Sequence, residues 1–247
     1  MAEREIIVCR DMAELSRQSA ERFSQLTHQS VQGSGRFAVA LSGGSTPKHL
    51  YSLLASAGYK ERIPWNNVHL FWGDERCVPP DHPESNFGMV DEALLSKIKI
   101  PAENIYRMAG EREPQAAAAD YEKELQRFFG LESGALPRFD LILLGIGEDG
   151  HTASLFPGGD ALNETERLVG APFVAKLNSY RLSLSLPALN NAANIWFLVT
   201  GGSKADAVKK VLGGASDLPA AKVQPVDGKL TWFVTRDAAA ALPSADR

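Results

Sequence analysis

Apolar positions along the chain switch between two periods, and the switching lays out an alternation of strands and helices. Residues 5–9, apolar from Ile6 onward, read as a short strand. Met12, Leu15, Ala20, Phe23 and Leu26 then recur at three- to five-residue steps, the stripe of an amphipathic helix packed on a sheet. Residues 37–41, 141–144 and 195–199 are apolar at every position, as parallel strands covered on both faces must be. Residues 68–72 and 230–234 read as two more strands, broken in apolar character only by His69 and Thr231. Residues 181–186 alternate leucine with Arg181, Ser183 and Ser185, the period of a half-buried strand.

Helices fill the intervals. Pro47, preceded by hydroxyl residues, marks a helix start, with Leu50, Tyr51 and Leu54 inward and an end near Gly58. A second helix runs through Val90, Leu94 and Leu95, and a third covers 113–129, alanine run included. Ser203 and Asp206 stand in capping-box spacing before inward Val208 and Val211, and Gly213 and Gly214 stop that helix. An alanine-rich stretch suggests a terminal helix. The alternation predicts an α/β fold of three layers, a mostly parallel sheet with helices on both faces and right-handed crossovers. With no repeat, charge block or linker, residues 1–247 are expected to form one domain.

Four of these strands stop in glycine and polar residues: Ser42-Gly43-Gly44-Ser45-Thr46, Gly73-Asp74-Glu75-Arg76, Gly145 to His151, and Gly201-Gly202-Ser203-Lys204. In a parallel sheet all of them gather on the carboxyl edge, where open α/β sheets bind ligands. Gly145-x-Gly147-x-x-Gly150 has dinucleotide-fingerprint spacing, but a histidine follows and Pro157-Gly158 breaks any helix, so the glycines are read as admitting a small substrate. His151 sits two residues after Asp149. An imidazole titrating at ~6.5 in the free side chain can take a proton from water near neutral pH. A carboxylate beside it fixes its tautomer. Asp149 is the candidate partner, with Asp74 and Glu148 left open.

The Ser42-Gly43-Gly44 turn offers backbone N–H donors at the positive end of a helix, a place for phosphate, and lacks the Lys-Ser ending of a nucleotide loop. Lys204 in a first helical turn is unfavourable unless an anion lies beside it. Arg181 could bind phosphate with both its N–H arms. Taken alone, either reads as a solvated surface charge. Arg76 could neutralise an oxyanion or simply pair with Asp74 and Glu75.

Composition narrows the classes. With 44% apolar and 23% charged residues and a net charge of −4, the chain has no basic excess for nucleic acid. Two cysteines in no metal or redox spacing suit a reduced compartment. An amino terminus without an apolar leader, and no span-length apolar run, suit the cytoplasm with no membrane partner. The five histidines lack zinc spacing and no G-x-S-x-G elbow occurs, so no metal, no cofactor and no serine nucleophile are expected.

Leu41-Ser42-Gly43-Gly44-Ser45-Thr46-Pro47, Trp72-Gly73-Asp74-Glu75-Arg76-Cys77-Val78-Pro79 with Ser85-Asn86, the stretch from Gly145 through Asp149-Gly150-His151 to Pro157-Gly158, Arg181-Leu182-Ser183-Leu184 and Gly201-Gly202-Ser203-Lys204 together resemble the 6-phosphogluconolactonases, in order and over nearly the whole chain. The resemblance implies a fold shared with glucosamine-6-phosphate deaminases and ribose-5-phosphate isomerase. It implies hydrolysis of 6-phospho-D-glucono-1,5-lactone, a step of the oxidative pentose phosphate pathway, by a monomer or small homo-oligomer. The expected roles are His151 as base, Asp149 as its orienter, Arg76 at the oxyanion, and Ser42, Gly43, Gly44, Asp74, Arg181 and Lys204 on the substrate and its phosphate. Deaminases share several motifs but carry an Asn-Glu pair where this chain has Leu155-Phe156, and a tyrosine where it has Arg76. A deaminase or isomerase, and a non-catalytic sugar-phosphate sensor, remain the competing expectations.

Overall fold

The computed structural model describes residues 3–214 and 217–243. In chain order they form β1 (Glu3–Cys9), α1 (Met12–Ser34), β2 (Phe37–Leu41), α2 (Ser45–Leu54), α3 (Ala57–Lys60), β3 (Val68–Trp72) and β4 (Asp74–Arg76). There follow α4 (Asn86–Ala93), β5 (Ile105–Tyr106), α5 (Pro114–Phe129), β6 (Leu141–Leu144), β7 (Val169–Gly170), β8 (Phe173–Val174) and β9 (Ser179–Leu184). Next come α6 (Leu186–Asn190), β10 (Asn194–Val199), α7 (Ala205–Leu212) and β11 (Lys229–Thr235).

Seven strands pair in parallel in the order β1-β11-β10-β6-β2-β3-β5. From β2 the chain moves outward through β3 to β5, returns to β6 beside β2, then travels the other way through β10 to β11. Right-handed crossovers place the helices of the two directions on opposite faces, which gives the three expected layers. The reversal makes β2 and β6 the switch point, and a crevice opens at their carboxyl ends. β2, β6 and the apolar part of β10 are buried throughout, so their uninterrupted apolar runs satisfy both faces. One cluster of buried side chains spans the sheet, with Trp232 stacked on Phe197 at 3.9 Å between ring centres.

Several elements depart from the sequence expectation. The alternating run 181–186 lies outside the main sheet: β9 pairs antiparallel with β4, β7 and β8. It stops at Leu184 because Ser185 caps α6, accepting a hydrogen bond from the N–H of Ala188, with Pro187 in the first turn. α2 begins at Ser45, two positions before Pro47, and ends at Leu54. The capping box at Ser203 does not form, because residues 202–204 make a 3-10 turn and Lys204 becomes the cap of α7. Residues 236–241 of the expected terminal helix are turns. Asp237 ties the N–H of Ala238 and the hydroxyl of Thr235 to itself, and Pro243 follows too soon for a helical nucleus to grow. Residues 244–247 lie outside the described residues.

Candidate active site

The glycine-ended strands β10, β6, β2 and β3 are neighbours in the sheet, so their tips converge. They enclose a cavity of about 280 Å³ lined by Ser42, Gly43, Gly44, Asp74, Arg76, Asn86, Gly145, Gly147, His151, Ala153, Thr200 and Lys204, among others. Two buried tyrosines hold the tips. The Tyr51 hydroxyl accepts from the N–H of Ser42 at 3.0 Å and donates to its carbonyl at 2.9 Å. Tyr121 does the same for Trp72, at 2.9 and 3.2 Å. Each hydroxyl replaces the ladder partner that a strand loses where its neighbour ends. Across the crevice, the Thr46 and Thr200 hydroxyls meet at 2.7 Å.

In the turn after β6, Nδ1 of His151 lies 2.5 Å from Oδ1 of Asp149, and the same oxygen accepts from the His151 N–H at 3.2 Å. Neither Asp74 nor Glu148 is bonded to the ring, so the choice left open in the sequence falls to Asp149. The other Asp149 oxygen takes a hydrogen bond from the ammonium of Lys176. Burial opposes ionisation of Asp149, but Lys176 and His151 outweigh it and hold the carboxyl well below the usual range. An ionised Asp149 accepts only, so Nδ1 carries a proton, and in the neutral ring that tautomer leaves the lone pair on Nε2. Phe156 stacks on the imidazole, 4.3 Å between centres and 27° apart in plane. Ala153, two residues on, adopts φ 46°, a left-handed conformation uncommon for a side chain and of the kind that gathers at functional sites.

Asp74 and Glu75 are buried, and their costs are met by hydrogen bonds. Asp74 accepts from the Ser154 hydroxyl at 2.8 Å and from Asn86 Nδ2 at 3.3 Å, and its carbonyl takes that same Nδ2 at 2.9 Å. Burial pushes its carboxyl up, against the pull of Arg76 and Ser154. Glu75 faces away from the cavity and accepts from the N–H groups of Asn86 and Phe87 at 2.7 and 2.8 Å, the open first turn of α4.

The three expected cations fare differently. Arg76 lines the cavity, and its Nη1 donates to the Glu84 carbonyl at 2.7 Å. Lys204 lines it too, 3.6 Å from Glu148, so the anion at this helix start is the protein's own. Arg181 does not reach the wall. It is the cross-strand partner of Arg76 and its guanidinium donates to Ser179 at 2.9 Å. Among the described residues neither arginine has an acidic partner within ion-pair distance. The first turn of α2 has no side-chain cap at Gly44, leaving its N–H groups turned to the crevice.

Lys176 and Tyr121 are not singled out in the sequence, and nothing local marks them; Tyr51 reads there only as an inward helix residue and Phe156 only as standing where deaminases carry an acid. A larger hollow of about 970 Å³, lined by the 154–176 segment and residues 183–185, contains neither His151 nor Arg76. Size therefore does not identify the site; convergent chemistry does.

A family model for glucosamine-6-phosphate isomerases and 6-phosphogluconolactonases matches residues 10–232. A 6-phosphogluconolactonase of Nostoc sp. is 41% identical over 216 residues, which is 86% of this chain and 87% of that protein. The structure of a 6-phosphogluconolactonase from Trypanosoma cruzi superposes with a TM-score of 0.86 at 30% identity, covering 98% of each chain. A monomeric glucosamine-6-phosphate deaminase shares the fold, with a TM-score of 0.81 at 21% identity over 96% of this chain and 99% of its own.

Proposed function

The chain belongs to the family of glucosamine-6-phosphate isomerases and 6-phosphogluconolactonases, and from that membership we propose that it hydrolyses 6-phospho-D-glucono-1,5-lactone to 6-phospho-D-gluconate, in the oxidative pentose phosphate pathway. It is an enzyme of the lactonase kind, acting as a single domain in the cytoplasm. Two free cysteines suit a reduced compartment.

In this reading Nε2 of His151 takes a proton from water as the water oxygen attacks the lactone carbonyl. Such general-base help contributes ~10²–10⁴ in rate. The carbonyl electrons move onto oxygen, and Arg76 steadies that charge. The tetrahedral carbon then expels the ring oxygen, which takes the proton from the imidazolium. Asp149, ionised throughout, holds the ring in one tautomer. The Ser42-Gly43-Gly44 turn and Lys204 hold the phosphate, Arg181 joining by turning away from Ser179, while Asp74 orients the sugar.

The observation that carries this reading is the His151–Asp149 contact of 2.5 Å beside a cavity that both His151 and the uncapped first turn of α2 line. A base and an anion cradle share one small space. Phe156, not an acid, covers the imidazole, which speaks against a second proton carrier for deamination. The test generates the lactone with glucose-6-phosphate dehydrogenase and follows acid release above the spontaneous rate. Catalysis by the native chain, lost in His151→Ala with phosphate-dependent binding retained, supports the proposal. Full activity in His151→Ala, ammonia release from glucosamine-6-phosphate, or tight binding without turnover would refute it.

A further inference from the structure

We propose that Lys176 is a positioning residue for this hydrolysis, reaching from the β8–β9 hairpin to lock the Asp149 carboxylate against His151. The inference rests on the reading of His151 as the base and deepens it.

Asp149 stands at the tip of a glycine turn with about a third of its side chain exposed, at 35%. Its Oδ1 is committed to His151, through both the ring and the N–H. Its Oδ2 takes a hydrogen bond only from Lys176 among the described residues. Without that ammonium the carboxylate is free to turn about its last bond toward water, and the imidazole loses its fixed partner. The lysine does not reach out from a loose loop. Residues Ala175–Leu177 form a 3-10 turn closed by Asn178 in the left-handed region, and Phe173 and Val174 pair with Tyr180 and Ser179 on either side.

Phe156 closes the arrangement. The Lys176 ammonium lies 4.4 Å from the centre of the Phe156 ring, and that ring stacks on His151 at 4.3 Å. Base, carboxylate, ammonium and aromatic ring thus contact one another in a closed circuit of four side chains. Lys176 is half-exposed, and exposed ion pairs contribute little to folding. A lysine there that mattered only for stability would have little to do.

The experiment measures kcat, KM and thermal midpoint on the full chain for Lys176→Met, Lys176→Arg, Asp149→Asn and the pair Lys176→Met with Asp149→Asn, with His151→Ala alongside. Lys176→Met should lower kcat on the order of ten-fold, as a slightly misplaced base does, with KM within about two-fold and the midpoint unchanged. Lys176→Arg should recover most of the loss, and Lys176→Met should cost nothing further once Asp149 is Asn. An unchanged kcat, an effect on KM alone, or a full independent loss in the Asp149→Asn background overturns the role of Lys176. An active His151→Ala would instead overturn the underlying reading.

Discussion

Gly147 and His151 are so close that a Cβ on the glycine would stand 2.0 Å from Nδ1 of the imidazole and 2.7 Å from Oδ1 of Asp149. The turn folds back on itself, Gly147 N–H donating to the His151 carbonyl at 2.8 Å, and the missing side chain is the space the pair occupies.

Gly147→Ala should therefore disable the site while sparing the fold. The Cβ displaces the ring by about an ångström, and such a shift costs up to ~10² in kcat. Steady-state kinetics beside a melting curve will show it; a variant with native kcat would mean the ring adapts freely.

A Cβ on Gly43 would stand 1.9 Å from Oδ1 of Asn86, the residue whose amide holds Asp74. Gly43→Ala should push Asn86 aside and leave a buried carboxyl short of a donor, at a cost of ~1–3 kcal/mol. Urea unfolding measures the loss, and an unchanged midpoint would show that Asp74 does not depend on Asn86.

Burial raises the Asp74 carboxyl above its ordinary range. A carboxyl raised in the folded state costs that state progressively more as pH climbs from the unfolded pKa, ~3.9, through the folded one. Asparagine does not ionise. The stability of Asp74→Asn relative to the native chain should thus improve as pH rises from about 4, read from urea midpoints at successive pH values. A difference independent of pH would contradict a raised carboxyl.

Arg76 and Arg181 face each other across the β4–β9 ladder, where burial and then the charge of Arg76 lower the pKa of Arg181. Like charges directly opposite destabilise a sheet, so Arg181→Met should gain up to ~1 kcal/mol in stability. If the pair is kept for an anion, the same variant should raise KM for the phosphorylated lactone several-fold. Higher stability with unchanged KM would remove Arg181 from the substrate site.

Much of the scaffold was legible in the chain. The strands at 37–41 and 141–144 have the boundaries their apolar runs predict, because burial on both faces leaves no room for a polar residue, and 68–72 matches its run with the half-buried His69 as the single interruption. The glycine-ended tips were legible too, since each lies within one strand end; Asp149 stood as the candidate partner of His151 from the same turn, but the choice against Asp74 and Glu148 was not legible. The short elements were less so: Ser185 reads as part of an alternating strand until its hydroxyl is seen capping α6.

By itself, then, the sequence determined the alternation of elements, the edge at which chemistry gathers and the closeness of Asp149 to His151 in one turn, all set by steric and burial constraints over a few residues. Tertiary structure alone decided which distant side chains meet there. Lys176 on Asp149, Ser154 on Asp74, Tyr51 and Tyr121 on the strand tips, and Arg181 opposite Arg76 come from separate elements. Their meeting follows from strand order, and strand order is fixed by long-range packing that no local pattern records.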